Sequence, residues 1–411
     1  VSRPRLRSLR LVGLLLLAGL AACSPREPDN PLDPNNPDTG GEPRWLNALA
    51  GFGSVDLEWS VPRYDDLTGI RLVLVETGEI LVDGGERSGT VTRVGLANGV
   101  ERTFRLELLL ENGVVLQLPE EKATPGPTIP WVYDTGAGSV LRLTPDGRRV
   151  RIRSFDPNAS SAVGDGAGTG VLVLDFFTGQ VRRLDLDGVE TWSVDGFQRP
   201  GAALSVPGGG WWVTDAGAGA VVFLDTDGAV TFADSSLGFP GDVASAGGEA
   251  AWVVDQTGQV VRMEPGTGIT NSVPVDHPFA LAAVEGGGVW VADRETGDLV
   301  ELGADAGGIA RLPGYPGAEA LAADPPTGGV WVADRRNRRI VLVDESGTER
   351  VSAGGFPAPS SLALGAGAQE VWVADPARGA LVLLGRDGVE VRETEGVSSP
   401  ISISLTYGPQ R

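Results

Sequence analysis

The pentapeptide Val289-Trp290-Val291-Ala292-Asp293 comes back as Val330-Trp331-Val332-Ala333-Asp334 and again as Val371-Trp372-Val373-Ala374-Asp375. A segment that recurs every forty residues or so is one supersecondary unit repeated, and each unit buries its apolar faces only against its neighbours. Weaker copies stand upstream at Trp131-Val132-Tyr133-Asp134, Leu172-Val173-Leu174-Asp175, Trp212-Val213-Thr214-Asp215 and Trp252-Val253-Val254-Asp255. Aligned on the closing aspartate, residues 134, 175, 215, 255, 293, 334 and 375 mark one unit each.

The rest of each unit falls into register around that strand. A proline opens each cycle at Pro157, Pro200, Pro240, Pro278, Pro316, Pro359 and Pro400, where a strand tolerates one at its first residue. A small apolar run such as Ala280-Leu281-Ala282-Ala283 follows, then a Gly-rich turn, the Trp strand, and an apolar strand such as Ile340-Val341-Leu342-Val343. Asp-Gly pairs at Asp146-Gly147, Asp187-Gly188, Asp227-Gly228 and Asp387-Gly388 then turn the chain into a more polar outer strand, as tight hairpins require. Four strands per unit predict a β-propeller. The first Trp strand has no proline-led strand ahead of it, while Pro400-Ile401-Ser402-Ile403-Ser404-Leu405 has no Trp strand behind it. The C-terminus is therefore expected to supply the inner strand of the first blade, closing seven blades with no open edge over residues 127–411.

Composition agrees with an all-β chain: 60 glycines, 29 prolines and 41% hydrophobic residues suit many short strands joined by tight turns. The formal charge of −21 repels phosphate backbones and argues against nucleic acid as a partner. His277 is the sole histidine and Cys23 the sole cysteine, so neither a metal site built from His and Cys nor a disulfide within the chain is possible.

Residues 1–10 hold Arg3, Arg5, Arg7 and Arg10 without an acid, residues 11–20 are apolar, and Leu20-Ala21-Ala22-Cys23 follows at once. That order resembles a bacterial lipoprotein signal, with residues 1–22 removed and Cys23 lipidated, and Val1 reads as an alternative start codon recorded literally. The resemblance implies attachment to a membrane through acyl chains on Cys23, more than the two signals stable anchoring needs. Ser24 in place of an aspartate favours sorting to the outer membrane, on its periplasmic or surface-exposed side. Residues 23–42, rich in Pro, Asn and Asp, read as a disordered tether.

Over residues 43–126, Val55-Asp56-Leu57-Glu58-Trp59, Ile70-Arg71-Leu72-Val73-Leu74-Val75 and Thr103-Phe104-Arg105-Leu106-Glu107-Leu108 alternate as half-buried strands do, with turns expected at Asp83-Gly84 and Asn98-Gly99. This predicts a small two-sheet β-sandwich. With Pro43, Trp59, Pro62 and the run Leu96-Ala97-Asn98-Gly99 before Phe104, it resembles a fibronectin type III domain, although Arg102 stands where that family usually has tyrosine. Such modules serve as spacers or adhesive surfaces.

The run Val332-Ala333-Asp334-Arg335-Arg336-Asn337-Arg338-Arg339-Ile340 resembles an NHL repeat, and the Trp strands and repeat length resemble virginiamycin B lyase propellers. The wider group includes gluconolactonase-like and YWTD propellers. These resemblances imply fold more than activity, since they rest on packing positions. The family's aspartate caps the turn after the Trp strand, and one carboxylate per blade cannot converge on one metal.

Candidate functional residues follow from the loops expected at the channel mouth, between the outer strand of one blade and the inner strand of the next. Phe155, Phe197, Phe239, His277, Tyr315 and Phe356 each sit at or just before a cycle's proline, and form a candidate aromatic collar for a glycan or a peptide. Asp242, Glu285 and Glu319 could add polar contacts. No catalytic set is legible and no cofactor is expected, so the chain reads as an envelope lipoprotein whose propeller is a non-catalytic binding or scaffold module for a protein or glycan. The alternative is a metal-dependent lyase or lactonase. The lyase resemblance implies a histidine base beside a metal-binding glutamate, for which His277 is the sole candidate, and a divalent metal would be needed only there.

Overall fold

The computed structural model describes residues 45–407 apart from 62–66, 112, 127, 148–149, 156–158, 166–167 and 366–367. The expected signal, Cys23 and the tether lie outside the described residues, as do Pro43, Pro62 and Pro157. Among the described residues every sheet is antiparallel and there is no α-helix.

The N-terminal part holds two sheets. One orders Leu46–Gly51, Ser54–Ser60 and Ser88–Val94; the other orders Glu79–Gly84, Leu67–Leu74, Arg102–Leu110 and Val115–Gln117, with Glu121–Ala123 paired to Arg102–Leu110. Alternation along the strands sends Leu57, Trp59, Ile70, Leu72, Phe104 and Leu106 into one shared core. Asp83-Gly84 does not turn the chain as expected. It ends the strand Glu79–Gly84, because Gly84 and Asp83 pair with Ile70 and Arg71. Two hydrogen bonds fix the exit from this part: Gly126 N–H donates to the Gly51 carbonyl at 3.2 Å and Thr124 N–H to the Asp146 carboxylate at 3.3 Å.

The remaining chain forms, among the described residues, seven sheets of four strands. Six of them run in simple chain order, inner strand to outer strand. The first is composite: Pro400–Tyr407 lies beside Thr128–Asp134, with Tyr407 paired to Thr128 and Pro400 to Asp134. The junction is held at its end by Asp134, whose carboxylate accepts the N–H groups of Ser398 and Ser399 at 2.8 Å each. Each inner strand touches the next. Pro400–Tyr407 meets Ala159–Gly164, and contact passes through Pro200–Ser205, Pro240–Ser245, Pro278–Ala283, Ala318–Asp324 and Ser361–Leu364 back to Pro400–Tyr407. The sheets thus stand around a common axis.

The core lies between sheets, not within them. Trp290 packs with Val330, Val332 and Val341 of the following sheet, Trp331 with Val371 and Val373, and Trp372 with Val132 and Leu141 of the first. Every residue of the central strands Trp211–Asp215, Ala251–Asp255 and Val289–Asp293 is buried, which is why these strands are apolar on both faces. At ~25 cal/mol per Å² of apolar surface and roughly 150–250 Å² per aromatic ring, each tryptophan contributes several kcal/mol to holding two sheets together. Some add a polar tie, as Trp252 Nε1–H donates to the Gly287 carbonyl in the next sheet at 2.9 Å.

Proline begins the inner strand at Pro200, Pro240, Pro278 and Pro400, and stands two residues ahead of it at Pro316 and Pro359. The aspartates that close the central strands serve two turns at once. The Asp255 carboxylate accepts the N–H of Thr257 in its own turn, and those of Gly238 and Phe239 in the loop that enters the inner strand. Burial opposes its ionisation, but hydrogen bonds from Gln259, Phe239, Gly238 and Thr257 prevail and lower its pKa to about 2. The turn itself depends on glycine at Gly179, whose φ is 72° and where a Cβ would run into the Phe197 carbonyl oxygen.

Candidate functional site

The inner strands carry small residues toward the axis, among them Gly201, Ala202, Gly241, Ala280, Ala320, Ser361 and Ser404, and so leave a cavity of about 590 Å³. Its volume lies in the range of small-molecule sites. Residues of all seven inner strands line it; Phe176, Arg199, Phe239 and Gln256 come from the loops at one end, with Phe279, Asp242 and Glu319 on the strands just inside.

Arg199 stands immediately before Pro200, and its backbone N–H is held by the Asp215 carboxylate at 2.7 Å. Its guanidinium carbon lies 4.7 Å from the Phe176 ring centre and 5.7 Å from that of Phe239. Arg294, one residue past the capping Asp293, stacks in the same way over Phe279 at 4.2 Å. A cation placed over a ring is attracted by the ring's negative face, and the guanidinium N–H groups turned away from the ring remain able to meet an acceptor. Glu319 faces Arg335 at 3.4 Å and Arg294 at 3.8 Å.

Asp242 is the most perturbed acid at the site. Its oxygens accept the N–H of Leu281 at 2.8 Å and of Val243 at 2.9 Å, tying one inner strand to the next. Desolvation outweighs those two bonds and pushes the carboxyl up to about 6. It is therefore an acceptor whose charge can change within a physiological range.

The residues singled out in sequence fare differently. Phe239, Asp242 and Glu319 line the cavity. Tyr315 and Phe356 do not: they are 5% and 1% exposed, packed between sheets, so neither ring is presented as a collar would need. The Tyr315 hydroxyl meets Glu349 at 3.2 Å, and burial followed by that carboxylate raises its pKa to about 12. Phe197 is half-buried against the cluster around Leu172, Leu174 and Val213. His277 is exposed, with Nε2 2.8 Å from the Glu295 carboxylate, and is not part of the cavity wall. Glu285 is exposed on the turn between an inner strand and its Trp strand, and also lies off the wall. The Phe155 side chain and Cys23 are outside the described residues.

Sequence reading missed Phe176, Arg199, Phe279 and Arg294. The available signal was positional, since they stand next to a capping aspartate or a cycle-opening proline, the two landmarks of the mouth. A second cavity of about 760 Å³ lies against Asp165, Arg183 and Trp211, but its charges already satisfy each other, with Arg183 2.8 Å from Asp165. Among the described residues no three His, Cys, Asp or Glu side chains converge as a metal set would. The divalent metal that the lyase or lactonase reading requires thus finds no such set among the described residues.

No family model matches the chain, and no curated protein matches it. Solved structures do. A functionally unknown protein from Desulfotomaculum acetoxidans superposes with a TM-score of 0.60 at 10% identity, over 68% of this chain and 99% of that one. A putative 6-phosphogluconolactonase from Bacteroides fragilis gives 0.56 at 14%, over 68% and 98%. A catalytically inactive virginiamycin B lyase from Staphylococcus aureus, solved with quinupristin, gives 0.52 at 11%, over 58% and 84%.

The fold is a β-propeller. At these identities the likeness extends to architecture and stops there. The propeller's axis is the usual concave place for a ligand, and here Arg199 and Asp242 line it.

Proposed function

We propose that this chain is a lipid-anchored cell-envelope protein whose seven-bladed propeller binds a protein or glycan partner at the mouth of its axial cavity, without catalysis. In this reading Cys23 carries the acyl chains, residues 24–42 form the tether, residues 43–126 are a fibronectin type III-like spacer, and the blades close through the C-terminal strand. The protein stands on the outer membrane, on its periplasmic or surface-exposed side. The sequence of residues 1–23 supports the anchor, and the composite first sheet supports the closure.

The observation that carries the binding role is the axial cavity itself. Aromatic rings and the Arg199 guanidinium line a space of ligand size. Capture of envelope components by the protein and by its Phe239→Ala and Arg199→Ala variants tests this role. Loss of the captured component in both variants is expected; equal capture by all three proteins overturns it. Labelling with a radioactive fatty acid, compared between the parent and Cys23→Ala, tests the anchor.

A second reading is motivated by the His277–Glu295 pair at 2.8 Å and by the lyase and lactonase folds among the structural neighbours. It makes the protein a metal-dependent lyase or lactonase. Turnover of a cyclic depsipeptide or a sugar lactone that depends on added divalent metal and disappears in His277→Ala would favour it over the binding role. Turnover unchanged by that substitution removes His277 from consideration.

A further inference from the structure

Most arginines of the propeller lie against an acid, although among the described residues Arg336, Arg338 and Arg392, like Arg199, have none within ion-pair distance. Arg183, Arg339, Arg378 and Arg386 each lie within 3.1 Å of a carboxylate. The guanidinium of Arg199 makes no hydrogen bond to any described residue, although Asp242 and Glu319 line the same cavity. Arg294 approaches a carboxylate no closer than 3.8 Å, beyond hydrogen-bond reach. In a chain of net charge −21, where acids are plentiful, two arginines that lie over phenylalanine rings at one mouth without a hydrogen bond to a carboxylate mark a place for an acceptor that the protein does not itself supply.

We infer that the axial site binds an acidic sugar, a uronate unit of an oligosaccharide, whose carboxylate docks edge-on against Arg199 while its ring hydroxyls meet Gln256, Asp242 and Glu319. The inference rests on the axial binding role proposed above and narrows its ligand. An edge-on guanidinium and a carboxylate match in plane and spacing, which is the geometry that favours arginine over lysine.

The remaining wall sets the rest of the ligand. Asp242 and Glu319 repel further carboxylates but accept hydroxyl donors, so they suit a unit with one acid among several hydroxyls. An acidic peptide is disfavoured because the rings that would anchor an apolar side chain, Phe176 and Phe279, already carry guanidinium planes.

The test is calorimetric titration of the full chain in detergent with three probes: trigalacturonate, its fully methyl-esterified form, and an acetylated hexaglutamate peptide. The expected result is that trigalacturonate binds at least tenfold more tightly than the ester, and that Arg199→Gln removes this preference while Arg199→Lys restores part of it. Arg199 is exposed, so its substitution leaves the propeller folded, and a thermal melt checks this. Equal binding of acid and ester overturns the carboxylate inference and leaves a glycan role for the axis intact. Binding of hexaglutamate without trigalacturonate overturns the sugar and makes the partner an acidic protein segment. Binding of none overturns the inference, and the axial role is then decided by the Phe239→Ala capture experiment alone.

Discussion

Replacing Asp242 by asparagine should make the protein more stable at pH 8 and slightly less stable at pH 4. The wild-type carboxyl titrates at about 6 in the fold against 3.8 as its ordinary value. The folded state therefore holds the proton more tightly than the unfolded one, and stability declines as pH rises from 3.8 through 6. A difference of about two pKa units at ~1.4 kcal/mol each is about 3 kcal/mol of strain carried by the ionised form. Asparagine removes that charge but offers a single acceptor oxygen to the two N–H groups of Leu281 and Val243, which costs about 1 kcal/mol. The variant is thus favoured by about 2 kcal/mol at pH 8 and disfavoured by about 0.5 kcal/mol at pH 4, with the two curves crossing between roughly pH 4 and 5. Urea denaturation of both proteins at half-unit steps from pH 4 to pH 8 measures this. A gap that stays constant over that range, or a wild type more stable at pH 8, would refute the claim that burial governs this carboxyl.

Asp255 should behave in the opposite sense. Its carboxyl is held at about 2, below the ordinary 3.8, so the stability it lends is present above pH 4 and disappears as pH falls through 2. Asp255→Asn is expected to cost about 2 kcal/mol at pH 7 and little near pH 2, read from urea midpoints. Trp290→Ala, which empties the contact with Val330, Val332 and Val341, should cost about 3–5 kcal/mol in the same assay. A cost below about 1 kcal/mol would show that the tryptophans do not join the sheets. Gly179→Ala is expected to lower the melting temperature through both the left-handed φ and the collision with the Phe197 carbonyl, whereas Gly266→Ala, whose Cβ would meet nothing, should lose only the conformational part.

The core was legible in the sequence because it is periodic. The same position holds Trp in six of the seven units and Leu172 in the other, all of them buried, and the aspartate after it caps because a strand entering a tight turn there needs an acceptor for the N–H groups two and three residues on. The axial site was legible only in part. A residue's place before a cycle's proline says that it lies in the mouth loop but not which way its ring turns. Phe239 faces the axis while Tyr315 and Phe356 turn between sheets, where Glu349 and the side chain of Arg378 receive them. Arg199 escaped notice because it interrupts the aromatic series, and Phe176 and Arg294 because a turn residue beside an aspartate looks like solvated surface until the ring brings distant loops together. Asp83-Gly84 was misread because a favourable turn dipeptide can equally end a strand when a longer partner continues the ladder.

The pairing of Thr128–Asp134 with Pro400–Tyr407 has a consequence for biogenesis. The carboxylate of Asp134 must wait for Ser398, 264 residues further along, before its acceptors are satisfied. Until Pro400–Tyr407 is available, one ladder of backbone groups has no partner and any other exposed edge can claim it. Assembly is therefore slow in proportion to that separation. A truncation ahead of Pro400 would leave the whole of Thr128–Asp134 without its inner partner.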